Sequence, residues 1–85
     1  SMDKTVYFPT LQQYKYSPAI VIAAAEGENI TSSADGKVLS VFEDAEIGQA
    51  VTVDIGNGYE LTYGQLKDIM VLQGDIISSG DVIAL

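Results

Sequence analysis

A pair of alternating segments on either side of a glycine turn constrains the fold of this 85-residue chain most strongly. In residues 51–55, Val and Ile alternate with Thr and Asp, and in residues 59–63, Tyr and Leu alternate with Glu and Thr. Successive side chains of a strand point to opposite faces, so each segment has one apolar face. Gly56-Asn57-Gly58 between them suits the positive φ angles of a tight turn. The pattern predicts a β-hairpin with one buried face.

Short segments rich in Val and Ile continue along the chain, and none sustains a helical apolar period over three turns. We therefore predict an all-β fold, a small antiparallel sheet or barrel-sandwich hybrid of short strands with Gly-Asp turns. A hairpin turn is expected at residues 35–36, and two Gly-Asp turns at residues 74–75 and 80–81. Residues 64–69 fit one helical turn at most. The predicted strands are Ile20–Ala24, Lys37–Phe42, Ala50–Ile55, Tyr59–Tyr63, Val71–Gln73 and Val82–Leu85.

The composition excludes several kinds of chemistry. The chain contains no His and no Cys, which removes the usual ligands of zinc, copper and iron and the commonest general acid or base. Twelve acidic residues against four Lys and no Arg give a net charge of -8, so the clustered cations that nucleic acid requires are missing. The 47% hydrophobic content is too high for a disordered acidic tail. We expect a folded domain without metal or cofactor.

Three glycine-containing segments occur in a characteristic order. They read AIVIAAAEGENITSSADGKVLSV from residue 19, VTVDIGNGYELTYGQL from residue 51 and VLQGDIISSGDVIAL from residue 71. In order and spacing they resemble the lysostaphin-type (LytM) zinc endopeptidases of bacterial cell walls, which have a duplicated hybrid motif fold. The resemblance covers residues 17–85. Residues 1–2 are typical of a tag remnant, and residues 3–16 form an N-terminal lead-in segment.

The resemblance places the family's zinc and catalytic positions on residues that do not suit that chemistry. The first zinc-binding His falls on Ser17, and the Asp ligand falls on Val21. The His beside the active site falls on Ile55, and the catalytic His falls on Gln65. The last ligand belongs to an H-x-H strand, which we expect beyond Leu85. Because a zinc hydrolase needs three protein ligands and an open position for water, we expect a pseudo-peptidase and not an enzyme.

The segment LQQYKYSPAI, residues 11–20, resembles the stage II sporulation Q-type proteins among the non-catalytic members of the family. That similarity implies an extracytoplasmic domain, anchored to the cell membrane by a segment outside this sequence. Its expected partner is another envelope or membrane protein, or peptidoglycan, in sporulation or cell-wall remodelling. We also expect an open sheet edge at Val82–Leu85 that pairs with a partner or a second copy. The candidate interaction residues are Tyr14, Tyr16, Tyr59, Tyr63, Val82 and Ile83.

Three other interpretations remain open at this point. A biotinyl or lipoyl carrier domain has similar Gly-Asp turns, and Lys37 is the one lysine that we expect in a hairpin. An active zinc endopeptidase fragment lacking its ligand strand is a second alternative. Carboxylate catalysis would need a close acid pair, for which Asp54 and Glu60 across the predicted hairpin are the candidates. A solvated strand surface explains that pair better, and Glu43, Asp44 and Glu46 are expected in an exposed acidic loop.

Overall fold

A computed structural model describes the backbone of residues 11–14, 19–21 and 29–85, and the side chains of residues 29–85. This part of the chain consists of strands and turns, which confirms the all-β prediction. Within it, no helix is long and apolar enough to cross a membrane. The strands are β1 (Leu11–Tyr14), β2 (Ala19–Val21), β3 (Ile30–Thr31), β4 (Gly36–Asp44), β5 (Gly48–Gly56), β6 (Tyr59–Leu66), β7 (Ile76–Ile77) and β8 (Val82–Ala84).

The strands form two antiparallel sheets. The larger sheet has the order β2-β1-β6-β5-β4-β7, and the smaller one pairs β3 with β8. The hairpin of β5 and β6 lies at the centre of the larger sheet, as the alternating pattern predicts. Its two-residue turn has positive φ angles at Asn57 (55°) and Gly58 (81°), the signature of a type I′ turn, whose twist matches that of the flanking strands.

One face of this central hairpin forms the core. Val53 lies opposite Leu61, and Val51 lies opposite Tyr63; all four side chains are fully buried. The opposite face is polar, and the hydroxyl groups of its cross-strand Thr52–Thr62 pair lie 2.9 Å apart in a hydrogen bond. The remaining buried members of the core cluster are Val38, Leu66, Val71, Ile77, Ile83 and Ala84.

The two Gly-Asp turns near the end of the chain repeat one geometry. In the first turn, the Asp75 amide donates to the Leu72 carbonyl at 3.1 Å, and the Leu72 amide donates to Asp75 Oδ2 at 2.9 Å. In the second, the Asp81 amide donates to the Ser78 carbonyl at 2.9 Å, and the Ser78 amide donates to Asp81 Oδ2 at 2.8 Å. The glycine before each aspartate has a φ near 90°. The short repeat in the sequence is therefore a structural repeat.

The hairpin turn predicted at residues 35–36 is wrong. The preceding strand β3 pairs with β8 and not with β4, so the chain does not reverse onto itself there. Gly36 is the first residue of β4. It is required for another reason, because a Cβ atom at this position would collide with the carbonyl oxygen of Asp54 and come within 2.7 Å of Val53 Cγ1. A side chain at residue 36 would thus push β4 away from β5.

Other predicted elements also need correction. Val71–Gln73 is not a strand, because Val71 enters the core and the next residues form the first Gly-Asp turn. Residues 64–69 contain no helical turn, which agrees with the expectation of one at most, since β6 continues to Leu66 and the chain then bends. Strands β1, β3 and β7 have no counterpart in the prediction. The last two have only two residues each, too few to show alternation.

The expected open edge at the last strand is also wrong. On one side, β8 pairs with β3. On its other side, the Met70 amide donates to the Ile83 carbonyl at 2.7 Å, and the Leu85 amide donates to the Asp68 carbonyl at 3.0 Å. Residues after β6 thus occupy the side that we expected to be free. In the larger sheet, the outermost strands are β2 and β7.

Candidate functional site

Two of the four family positions lie at the same end of the larger sheet. Val21 of β2 is opposite Leu11 of β1, and Leu11 is opposite Gly64 of β6. Gln65 directly follows Gly64, so one row of the sheet brings the second and the fourth position together. The first position, Ser17, lies outside the described residues. The row from Val21 to Gly64, with Gln65 beside it, is called the cleft row below.

Gln65 has an unusual backbone conformation. Its φ angle is 58°, in the left-handed region that residues with a Cβ atom rarely adopt. The register between β5 and β6 shifts at this point, so Gln65 lies in a bulge. Its amide donates to the Ile47 carbonyl at 2.7 Å, and its side-chain Nε2 donates to the Glu46 carbonyl at 3.4 Å. Two backbone carbonyl groups therefore hold this residue in place.

The turn between β4 and β5 contacts the cleft row at Gly64 and Gln65. Asp44 Oδ1 accepts hydrogen bonds from the amides of Glu46 (2.7 Å) and Ile47 (3.1 Å), which fixes the turn. Ile47 then lies so close to Gly64 that a Cβ atom there would be 3.1 Å from Ile47 Cβ. Gln65 donates hydrogen bonds to two backbone carbonyl oxygens of this turn, and the turn also carries the exposed carboxylates of Asp44 and Glu46.

Ile55, the third family position, lies at the other end of the hairpin. It precedes the turn, whereas Gln65 is near the far end of β6. At roughly 3.3 Å per residue, five or six residues of strand separate the two positions by about 15–20 Å. Ile55 is half-buried and packs against the core cluster. The structure therefore does not bring Ile55 to the cleft row, and its side chain contributes to the core.

The candidate interaction residues divide into surface and core positions. Tyr59 is exposed at the hairpin turn, and Val82 is also exposed. Tyr63 and Ile83 are fully buried, so their assignment to an interaction surface is wrong. The hydroxyl of Tyr63 accepts from the Ser33 amide at 2.9 Å and so serves a structural role. Tyr14 lies in β1 opposite Leu61, its side chain is outside the described part, and so is Tyr16.

The other proposed chemistries find little support in the contacts. Asp54 and Glu60 are cross-strand neighbours, as expected, but Asp54 Oδ1 accepts from the Gly56 amide at 2.9 Å and stabilises the turn. Lys37 lies inside β4 and is paired with strands on both sides, so it is not at the hairpin tip that a carrier domain requires.

Glu43, Asp44 and Glu46 are exposed, as predicted, and the first two are the last residues of β4. Within residues 29–85, no group of three His, Cys, Asp or Glu residues is placed to hold a metal ion.

The strained backbone at Gln65 leads to a prediction about stability. Glycine adopts positive φ freely, which favours the folded state of Gln65→Gly, whereas the flexibility of glycine in the unfolded chain opposes it. The net change in the free energy of unfolding should lie between zero and a stabilisation of about 1 kcal/mol. Gln65→Val should destabilise by about 1–2 kcal/mol, because a β-branched residue is disfavoured there. Urea denaturation followed by circular dichroism measures both variants. Equal stability of the two would show that residue 65 does not hold a left-handed conformation.

The strand order and the repeated Gly-Asp turns define a small all-β domain with two antiparallel sheets. The model of peptidase family M23 matches residues 15–85. The chain therefore belongs to peptidase family M23, which confirms the family resemblance. No curated protein and no solved structure gives a match.

Proposed function

We propose that this chain is a non-catalytic M23 domain that binds a partner in the bacterial cell envelope. The observation that carries the proposal is the environment of Gln65. At the position of the family's catalytic His, this residue donates its side-chain amide to the Glu46 carbonyl, and Ile47 packs over the adjacent Gly64. An amide cannot exchange a proton near neutral pH as imidazole does. The contacts of the cleft row therefore favour a structural role for this region over a hydrolytic one.

The residues at the family positions also do not fit a zinc ion. Zinc in proteins is bound by His nitrogen, Cys sulfur and carboxylate oxygen. Val21 has no donor atom, the half-buried Ile55 packs against the core, and the chain has no His and no Cys. Metal-dependent hydrolysis by this chain is therefore not part of the proposal.

The proposed setting is the outer side of the cytoplasmic membrane. We place the domain nearest to the stage II sporulation Q-type members, on the strength of residues 11–20, and propose another envelope or membrane protein as its partner. A net charge of -8 favours a partner surface with positive charge. Self-association is the competing possibility, and either outer strand of the larger sheet would offer an edge for it.

Zinc retention tests the non-catalytic assignment. The purified chain, incubated with excess zinc and dialysed, is expected to retain far less than one equivalent by elemental analysis, whereas an active M23 peptidase treated in the same way retains its metal. Retention of one zinc per chain, abolished by replacing the residues of the cleft row, would refute the assignment. Size-exclusion chromatography with light scattering then distinguishes a monomer that awaits a partner from a self-associating domain.

A further inference from the structure

A shallow groove that is largely open to solvent lies near the outer strand β7 of the larger sheet. Its volume is about 490 Å³, and the lining includes residues of β4, β5 and β7. Lys37 of β4 lies opposite Asp54 of β5 on one side and opposite Ile76 of β7 on the other. Because directly opposite residues of a sheet share a face, these three form one row along the groove. Ile55 also borders it, which makes one of the family positions part of this surface.

Two aspartates border the groove. Asp35 immediately precedes Gly36, and Gly36 packs against the Asp54 carbonyl, so the backbones that carry the two carboxylates meet at this glycine. Asp35 Oδ1 accepts from the Ser79 amide at 2.8 Å, and Asp54 Oδ1 accepts from the Gly56 amide at 2.9 Å. Each hydrogen bond fixes a carboxylate while using one of its several acceptor sites. Both residues are exposed and can accept from a second donor.

The groove also has an apolar part. Ile76 is 78% exposed, the largest exposed fraction among the large hydrophobic side chains of the described residues. A two-residue strand held by β4 presents it, so its position is fixed by the sheet. A partner that covers Ile76 would gain the free energy of burying its side chain.

We propose that this groove, called the Asp35–Asp54 groove, binds a peptide segment of a partner protein that carries a Lys or Arg beside an apolar side chain. The basic group pairs with Asp35 and Asp54, and the apolar side chain packs on Ile76. Anionic partners such as nucleic acid or acidic lipid headgroups would be repelled by the two carboxylates. Lys37 lies in the same row and competes with the incoming cation. The inference rests on the proposed binding function and specifies the surface that performs it.

Amide chemical-shift mapping by NMR tests this surface with a defined probe, the acetylated and amidated hexapeptide KVRIKV, against the matched acidic hexapeptide EVEIEV. The basic peptide is expected to shift the amides of residues 35–37, 54–56 and 76–78, and the acidic peptide should shift none of them. Asp54→Asn and Asp35→Asn keep the Oδ1 acceptor that stabilises each turn, and each should weaken binding by about two- to fivefold. Lys37→Ala should strengthen binding by a similar factor, since the competing cation is gone. Binding should weaken as ionic strength rises.

The matched control is Glu43→Gln, which removes an exposed carboxylate of β4 outside the groove and should leave the affinity unchanged. Shifts confined to the turn around Glu43 and Glu46, or equal weakening by Glu43→Gln and Asp54→Asn, would overturn the assignment of the groove while leaving a binding function intact. Mass spectrometry of the recovered peptide separates the two proposals. An intact peptide is expected, and cleavage would contradict the non-catalytic function itself.

Discussion

Leu61→Ala is expected to lower the free energy of unfolding by about 2–5 kcal/mol, the range for removing a buried leucine side chain. Leu61 is 0% exposed and lies opposite Val53 at the centre of the larger sheet. Neighbouring strands hold the backbone on both sides of β6, so the structure has little freedom to collapse into the cavity. A domain of this size has a small total stability. Urea denaturation followed by circular dichroism should therefore show a large shift of the midpoint.

The adjacent residue provides the control for this substitution. Thr62 lies on the polar face, and Thr62→Ala removes one hydroxyl hydrogen bond with Thr52, which is worth roughly 1 kcal/mol or less. If Leu61→Ala cost no more than Thr62→Ala, the two faces of the hairpin would not differ in burial as described.

Gly36→Ala is expected to destabilise the domain by at least about 2–3 kcal/mol, at the upper end of the range for overpacking. The new Cβ atom would meet the carbonyl oxygen of Asp54 and lie 2.7 Å from Val53 Cγ1. A backbone carbonyl cannot rotate away as the end of a flexible side chain does, so β4 and β5 must separate locally. Thermal unfolding should show a lower midpoint, and the amides on either side of Gly36 and Asp54 should lose protection in hydrogen exchange.

The same substitution at Gly74 separates crowding from backbone strain. Gly74 has a φ of 93°, and a Cβ atom at this position would have no neighbouring atom within 4 Å. Gly74→Ala therefore incurs only the cost of an unfavourable φ, about 1–2 kcal/mol. A Gly36→Ala variant within about 0.5 kcal/mol of the native chain would show that β4 and β5 are not in close contact there.

The central hairpin and its buried face are predictable from the sequence because the information is local. Alternation over five residues on each side of Gly56-Asn57-Gly58 specifies the faces, and the turn specifies the register. The repeated turns at Asp75 and Asp81 are predictable for the same reason, since each is formed within four residues. Such features depend on neighbouring residues, which a single sequence displays directly.

The misassigned elements depend on pairing between distant segments. Strands β3 and β7 have two residues each, and they exist because β8 and β4 pair with them. The sequence predicts a turn at Gly36 because Asp-Gly favours turns, but the requirement for a small residue there comes from Asp54, which is far away in sequence. The edge expected at β8 is filled by residues 68–70. Local patterns do not contain these contacts.

At the candidate site, too, some features are predictable from the sequence and others depend on contacts between distant segments. The strand register brings Val21 close to Gln65, whereas Ile55, a position mapped in the same way, lies at the other end of the hairpin. The positive φ of Gln65 and the packing of Ile47 over Gly64 have no signal in the sequence. Tyr63 and Ile83 are plausible surface residues by type alone, because aromatic and apolar side chains suit interfaces as well as cores. Only the three-dimensional contacts decide between the two.

Cleavage of purified peptidoglycan tests the central claim most directly. The chain is incubated with peptidoglycan in the presence of added zinc, and newly released amino groups are measured over time, with an active M23 peptidase as the positive control. The proposed function predicts no release above the buffer blank at any protein concentration. Release that increases with protein concentration and stops on addition of a zinc chelator would contradict it.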